Sequence, residues 1–141
     1  MNRSDTQRMR SRAGRVAVLL AALLGFAACG PPRYRFPPPQ APAAGYREEG
    51  TASWYGPGYN GKRTSSGEVF DQEDLTAAHP SFVFGTRVRV TLLSTGKSVV
   101  VRINDRFPAH KGRIIDLSRG AARAIGLIGP GTGRVRVEVV E

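Results

Sequence analysis

From Gly50 to Glu141 short apolar segments alternate residue by residue with polar ones, and each breaks off at Gly, Asn, Asp or Pro. A period of two fits strands with one face buried, and the frequent breaks leave no room for long helices. Thr86–Leu92 sets Val against Arg, Ser94–Lys97 supplies a turn, and Ser98–Ile103 runs on, which predicts a hairpin. Val135–Val139 closes the segment with the same alternation and Gly50–Tyr55 opens it. Ile114–Ser118 leads into Arg119–Gly126, the one stretch suited to a short helix, with Asp116 or Ser118 available as its cap and Gly126 as its stop. Short strands in so small a segment predict a closed barrel, because closure removes exposed edges.

The N-terminal part lacks this pattern. Arg3, Arg8, Arg10, Arg12 and Arg15 precede an uncharged run, Val16–Ala28. A permanent bilayer span needs about 20 apolar residues, so this shorter run fits an export signal over residues 1–28. Phe26-Ala27-Ala28-Cys29 resembles the lipobox of bacterial lipoproteins, with Phe26 where an aliphatic residue is usual. Cys29 is therefore expected to carry lipid, the alternative being a free thiol in a cleaved peptide. Each buried acyl methylene contributes roughly 0.8 kcal/mol, enough for several chains to hold the protein on a membrane. Residues 29–49 follow as a Pro-rich linker: six of the ten prolines fall between positions 31 and 44, favouring an extended spacer over a partner-docking segment. The folded domain is expected at 50–141.

Charge and cysteine content exclude several classes. Of the net charge of +10, the leader carries +4, so nucleic-acid binding is not expected of the remainder. One Cys rules out an internal disulfide and two His give little basis for a metal site. Phosphate-cradling, dinucleotide-binding, GxSxG and HExxH motifs are absent, and no cofactor is implied.

What remains is a small set of titratable groups in turn-rich segments. Asp105 follows the strand that ends at Ile103, where a rigid element can aim its carboxylate; it equally suits a strand-terminating turn. If the extended backbone continues, Arg106 points to the opposite face. His79, ahead of Pro80, can orient a carboxylate, bind a sugar hydroxyl or sit as an ordinary loop residue. Glu68 lies in a turn and has a solvated reading as well, and a triad of Ser65 or Ser66 with His79 and Asp105 has no local motif behind it. Trp54, Tyr55 and Tyr59 lie in one Gly-rich stretch; such rings stack on sugars, or form core and its cover.

Four segments, GTASWYGPGYNGKRTSSGEVFD, LTAAHPSFVFGTRVRVT, GKSVVVRINDRFP and RIIDLSRGAARAIG, resemble the rare lipoprotein A family in order and spacing. The resemblance covers essentially all of residues 50–141. It implies an all-β fold, a six-stranded double-psi β-barrel with one short helix, acting on peptidoglycan in the bacterial envelope. By position it places the functional acid on Asp105, the essential histidine on His79 and a supporting acid on Glu68. Trp54, Tyr55, Tyr59, Asn104 and Arg106 are the expected substrate contacts. Phe107 stands where the family usually has Gly, and the glycan-binding repeat domain of many relatives is not expected here.

The activity so implied is lytic cleavage between N-acetylmuramic acid and N-acetylglucosamine, with Asp105 protonating the bridging oxygen and the muramic acid's own hydroxymethyl group closing an anhydro ring. Peptide-poor strands are the expected substrate. Hydrolysis with Glu68 activating water, and a non-catalytic, expansin-like wall-binding role, are the alternatives. The expected setting is the cell envelope, with a lipid anchor at Cys29 and the barrel facing the periplasm. Gly30, not Asp, after Cys29 favours the outer membrane.

Overall fold

A computed structural model of the chain describes residues 36–140. The leader and Cys29 lie outside that range. Six strands and one helix follow in the order β1 (Arg47–Tyr55), β2 (Thr76–Ala78), β3 (Arg87–Leu92), β4 (Ser98–Asp105), β5 (Arg113–Ser118), α1 (Arg119–Ala124) and β6 (Gly133–Val139). They close into a barrel with the circular order β1-β5-β2-β4-β3-β6. The β1–β5 and β2–β4 pairs are parallel and the other four antiparallel.

The alternation read from the sequence sets the barrel's inside and outside. Val88, Val90 and Leu92 of β3, Val101 and Ile103 of β4, Ile115 and Leu117 of β5, and Val135, Val137 and Val139 of β6 are buried in one cluster. Arg87 and Arg89 face outward, as do Arg134 and Arg136. The expected β3–β4 hairpin forms, with Val90 opposite Val99. Ala121, Ala122, Ile125 and Leu127, from α1 and the turn after it, join the same core.

Of the two candidate caps of α1, Ser118 is the one used: its hydroxyl accepts from the Ala121 N–H at 3.2 Å and donates to the Asp74 carbonyl. Gly126, at φ 76°, ends the helix in the left-handed region that suits glycine. β2 has no sequence signature of its own. Its three residues are all buried, so there is no alternation to detect.

Strand β1 begins at Arg47, ahead of Gly50, because β6 continues opposite it and Arg47 pairs with Glu138, Glu49 with Arg136. Part of the segment expected as a spacer is also attached to the barrel. Gln40 donates its N–H to the Ser81 carbonyl at 2.6 Å and accepts from the Val83 N–H at 2.8 Å, and Gly45 N–H donates to the Val139 carbonyl.

Two irregularities in the ladders decide where polar side chains point. Ala77 of β2 pairs with Ile103 but Ala78 pairs with Asp105, so β4 carries Asn104 as an extra residue. Similarly Ile114 is extra in β5 opposite β1, and Gly50 is the residue that lets β1 approach it: a Cβ there would stand 2.5 Å from Ile114 Cγ2. Bulges of this kind turn the following side chain to the other face of the sheet.

Candidate active site

On the inner face, Leu117, Ala77 and Ile103 lie side by side across β5, β2 and β4 and belong to the core. The next row is Asp116, Ala78 and Asp105. Without the Asn104 bulge, strict alternation from Val101 and Ile103 would send Asp105 into the hydrophobic interior. With it, both carboxylates flank Ala78 on the outer face, and neighbouring strands spaced about 4.8 Å put their backbones roughly 10 Å apart.

Above this row is a cleft of about 250 Å³ lined by Tyr55, Tyr59, Asp105, Arg106, Phe107 and Asp116, among others. Ligand sites commonly run from about 300 Å³ upward, so a polymer would lie across this cleft with only part of one sugar inside. Tyr55 stacks on Phe70, ring centroids 4.7 Å apart, and meets Tyr59 edge to face at 5.7 Å. The Arg113 guanidinium covers the Phe107 ring at 4.8 Å.

The two carboxylates have different surroundings. Asp105 is held by donors on both oxygens. Oδ1 accepts from the Ser65 N–H at 2.9 Å, the Ser65 hydroxyl at 2.8 Å and the Arg106 N–H at 2.8 Å, while Oδ2 accepts from the Tyr55 hydroxyl at 3.2 Å. Burial, and then the charge of Asp105, push the Tyr55 phenol well above its ordinary range, so it stays a donor. Asp116 has less: the Ser53 hydroxyl donates to its Oδ1, and Arg113 Nε lies 3.3 Å from that oxygen as a charge contact without hydrogen-bond geometry. Burial raises the Asp116 carboxyl above the usual range against the opposing effects of Ser53, Arg113 and His110.

Of the expected site residues, Asp105, Arg106, Tyr55 and Tyr59 line the cleft. Arg106 is not turned to the opposite face. Its Nη1 donates to the carbonyls of His79 and Asp105, and its guanidinium lies 4.0 Å over Phe84. Trp54 packs against the core, and Asn104 is buried as the bulge residue, so neither is among the lining residues.

His79 and Glu68 also stand outside the lining, each in a network that shapes it. The His79 ring is buried against Phe82, its Nδ1 accepting the Ser81 and Phe82 N–H groups and its Nε2 bonded to Glu48 at 2.8 Å. That pattern puts the ring proton on Nε2. Its main-chain N–H donates to the Asp105 carbonyl. Glu68 is paired with Arg102 at 2.9 Å, and this contact holds its carboxyl below the usual range despite some desolvation. Its carbonyl accepts the Thr64 N–H at 2.8 Å and its Oε2 the Ser66 hydroxyl at 3.2 Å, so Glu68 is part of the turn that presents Ser65 to Asp105.

Sequence reasoning missed Asp116 as a group at the site and named Ser65 only as one option for a triad; the Ser65–Asp105 contact forms, while the His79 ring bonds Glu48 instead. The signal for Asp116 was present: a lone carboxylate between Ile115 and Leu117 in a strand. For Ser65 there was none, since its contact depends on how the 64–68 turn folds back.

The profile of the family described as lytic transglycolase matches residues 47–138. The chain is 61% identical over 92 residues to a probable endolytic peptidoglycan transglycosylase RlpA of Synechocystis, covering 65% of this chain and 29% of that protein. It is 50% identical over 102 residues to the endolytic peptidoglycan transglycosylase RlpA of Campylobacter jejuni, covering 72% and 37%. The chain thus spans about a third of the length of these relatives. Among solved structures, a Streptomyces papain inhibitor superposes with a TM-score of 0.60 at 20% identity, covering 72% of this chain and all of that one. The expansin of Clavibacter michiganensis gives 0.52 at 23%, covering 68% and 51%. These two share the fold.

Proposed function

The chain belongs to the lytic transglycolase family of double-psi β-barrels, with the rare lipoprotein A proteins, and from that premise we propose that it cuts peptidoglycan glycan strands between N-acetylmuramic acid and N-acetylglucosamine, leaving anhydro ends. The observation that carries this reading is the cleft in which Asp105, secured by Ser65 and Tyr55, faces a wall of aromatic rings. Sugar rings present apolar faces that such rings cover, and a fixed carboxylate beside them is what glycosidic bond breaking requires.

Leaving-group departure puts positive charge on the anomeric carbon, and the muramic acid's hydroxymethyl oxygen then closes on that carbon. No water is consumed. Asp105 belongs to the reacting centre, while His79 and Glu68 support it from behind, His79 through the Asp105 backbone and Glu68 through Arg102 and the Ser65 turn. The basic outer face suits a polymer carrying carboxylates. Peptide-poor strands are the preferred substrate, because the cleft is narrow and bordered by Phe107 and Arg113. An acylated Cys29 would tether the barrel to the envelope membrane, facing the periplasm from the outer membrane.

Mass analysis of fragments from denuded strands tests the activity. Wild type should release anhydro-ended fragments and Asp105→Asn should release about 10²-fold less or fewer still. Fragments one water heavier would instead mean hydrolysis, and retention on strands with no fragments would mean a binding module.

A further inference from the structure

We propose that Glu48 is a positioning residue of this site: its carboxylate fixes the His79 ring, and His79 in turn holds the main chain that carries Asp105. The assignment rests on the cleavage activity proposed above and deepens it.

Glu48 departs from the alternation that shapes the barrel. Along β1 the buried positions are Gly50 and Ala52, and Glu48 continues that series, opposite the buried Val137 of β6. A carboxylate turned to this face is costly unless it is hydrogen-bonded. Its partner is the His79 ring, Nε2 to Oε1 at 2.8 Å, the two side chains being 5% and 24% exposed. The other ring nitrogen, Nδ1, accepts the N–H groups of Ser81 at 3.1 Å and Phe82 at 3.0 Å, so the ring proton sits on Nε2 and points at Glu48. One ring face lies on Phe82, centroids 3.7 Å apart. Both nitrogens are therefore engaged within the protein, and His79 meets the site through its main chain. Its N–H donates to the Asp105 carbonyl at 3.1 Å, and its carbonyl accepts from Arg106 Nη1 at 3.3 Å.

The chain just ahead of Glu48 grips the same loop. Tyr46 meets Phe82 edge to face at 6.0 Å, and Gln40 bonds the main chain on either side of Phe82, at Ser81 and Val83. With Glu48 on His79, residues 40–48 hold the 79–83 loop at His79, at Phe82 and along its backbone. That loop belongs to none of the six strands, so these contacts stand in for a ladder. Without an acceptor at position 48 the Nε2–H would be buried unpaired, a state relieved by turning the ring toward water. The bonds to Nδ1 would be given up with that turn, and the main-chain link to Asp105 would loosen. The Asp105 carboxylate is placed at the end of an irregular ladder, after the Asn104 bulge, so it depends on such outside support. A displacement of about 1 Å at a reacting group can cost about 10²-fold in rate.

The test compares wild type, Glu48→Gln and Glu48→Met in the full chain, following release of anhydro ends from denuded strands. The amide oxygen of glutamine still accepts from Nε2, whereas methionine keeps the length and removes the acceptor. Glu48→Met should lose about 10²-fold in kcat with KM unchanged, and Glu48→Gln should stay within roughly fivefold of wild type. Hydrogen exchange followed by nuclear magnetic resonance gives a second readout. The His79 main-chain N–H should be protected in wild type and Glu48→Gln and should exchange at least about tenfold faster in Glu48→Met, while the amides of β3 keep their protection, which separates local loosening from a general loss of stability. A wild-type kcat in Glu48→Met overturns the assignment, as does a glutamine variant as slow as the methionine one. So does a raised KM with kcat kept, which would make Glu48 a substrate contact. Circular dichroism reports folding; if Glu48→Met does not fold, Glu48→Ala takes its place under the same criteria. If wild type releases no anhydro ends, the cleavage reading fails by itself, and the exchange comparison alone decides whether Glu48 holds this loop.

Discussion

A carboxyl that is raised by burial works against the fold at neutral pH. Burial raises the Asp116 carboxyl in the native protein. The stability linked to it is therefore fully present below the unfolded carboxyl value, near 3.9, and is lost as pH rises through the higher native value. Asparagine has no proton to lose and can still accept from Ser53. Asp116→Asn is thus expected to melt above wild type at pH 7 to 8, with the advantage disappearing below about pH 4, as thermal unfolding across that range would register. At Glu68 the sign is opposite: Arg102 holds its carboxyl low, so the contribution of that pair is present at neutral pH and fades as the solution is acidified.

Among the elements, those with a regular period were legible and the irregular ones were not. Strands β3, β4 and β6 alternate cleanly, and α1 carries its cap and its stop in the sequence. β2 escaped because it is short and wholly buried, and the Asn104 bulge because nothing in Ile103-Asn104-Asp105 distinguishes an extra residue from the next step of a strand. The site suffered accordingly. Asp105 was legible as a strand-end carboxylate, but its partnership with Asp116 depends on β2 and the bulge together. The loop 71–75 is a further example, clamped to α1 by Glu73, which bonds both Arg119 and Arg123.

Gly120 makes that docking possible. By helix propensity alone, alanine at this position would gain about 1 kcal/mol. Its Cβ, however, would stand 2.3 Å from the Glu73 carbonyl oxygen, a backbone atom with little freedom to move. Overpacking of this kind costs about 1–3 kcal/mol. Gly120→Ala is expected to lower the melting temperature by several degrees, measured by calorimetry; a rise would mean that the loop yields readily.

At the scale of the molecule, closure leaves every strand with hydrogen-bonded neighbours on both sides. No strand can detach without breaking two ladders, and the core side chains of all six meet in the middle, so partial unfolding gains little entropy for the contacts it forfeits. One cooperative transition is expected. The chain has a single tryptophan, Trp54, packed against the core, so its fluorescence in a urea titration should follow the same curve as the far-ultraviolet circular dichroism. Non-coincident curves would indicate a separable subunit of structure, with the loop over α1 the first place to look.

Ala78 gives the barrel a built-in ruler. Since it is bonded to the strands of both acids, the distance between their attachment points is a whole number of ladder steps and cannot drift with temperature or with what is bound. Only the reach of each arm is adjustable, so lengthening either aspartate to glutamate would trespass about one methylene into the space reserved for the sugar.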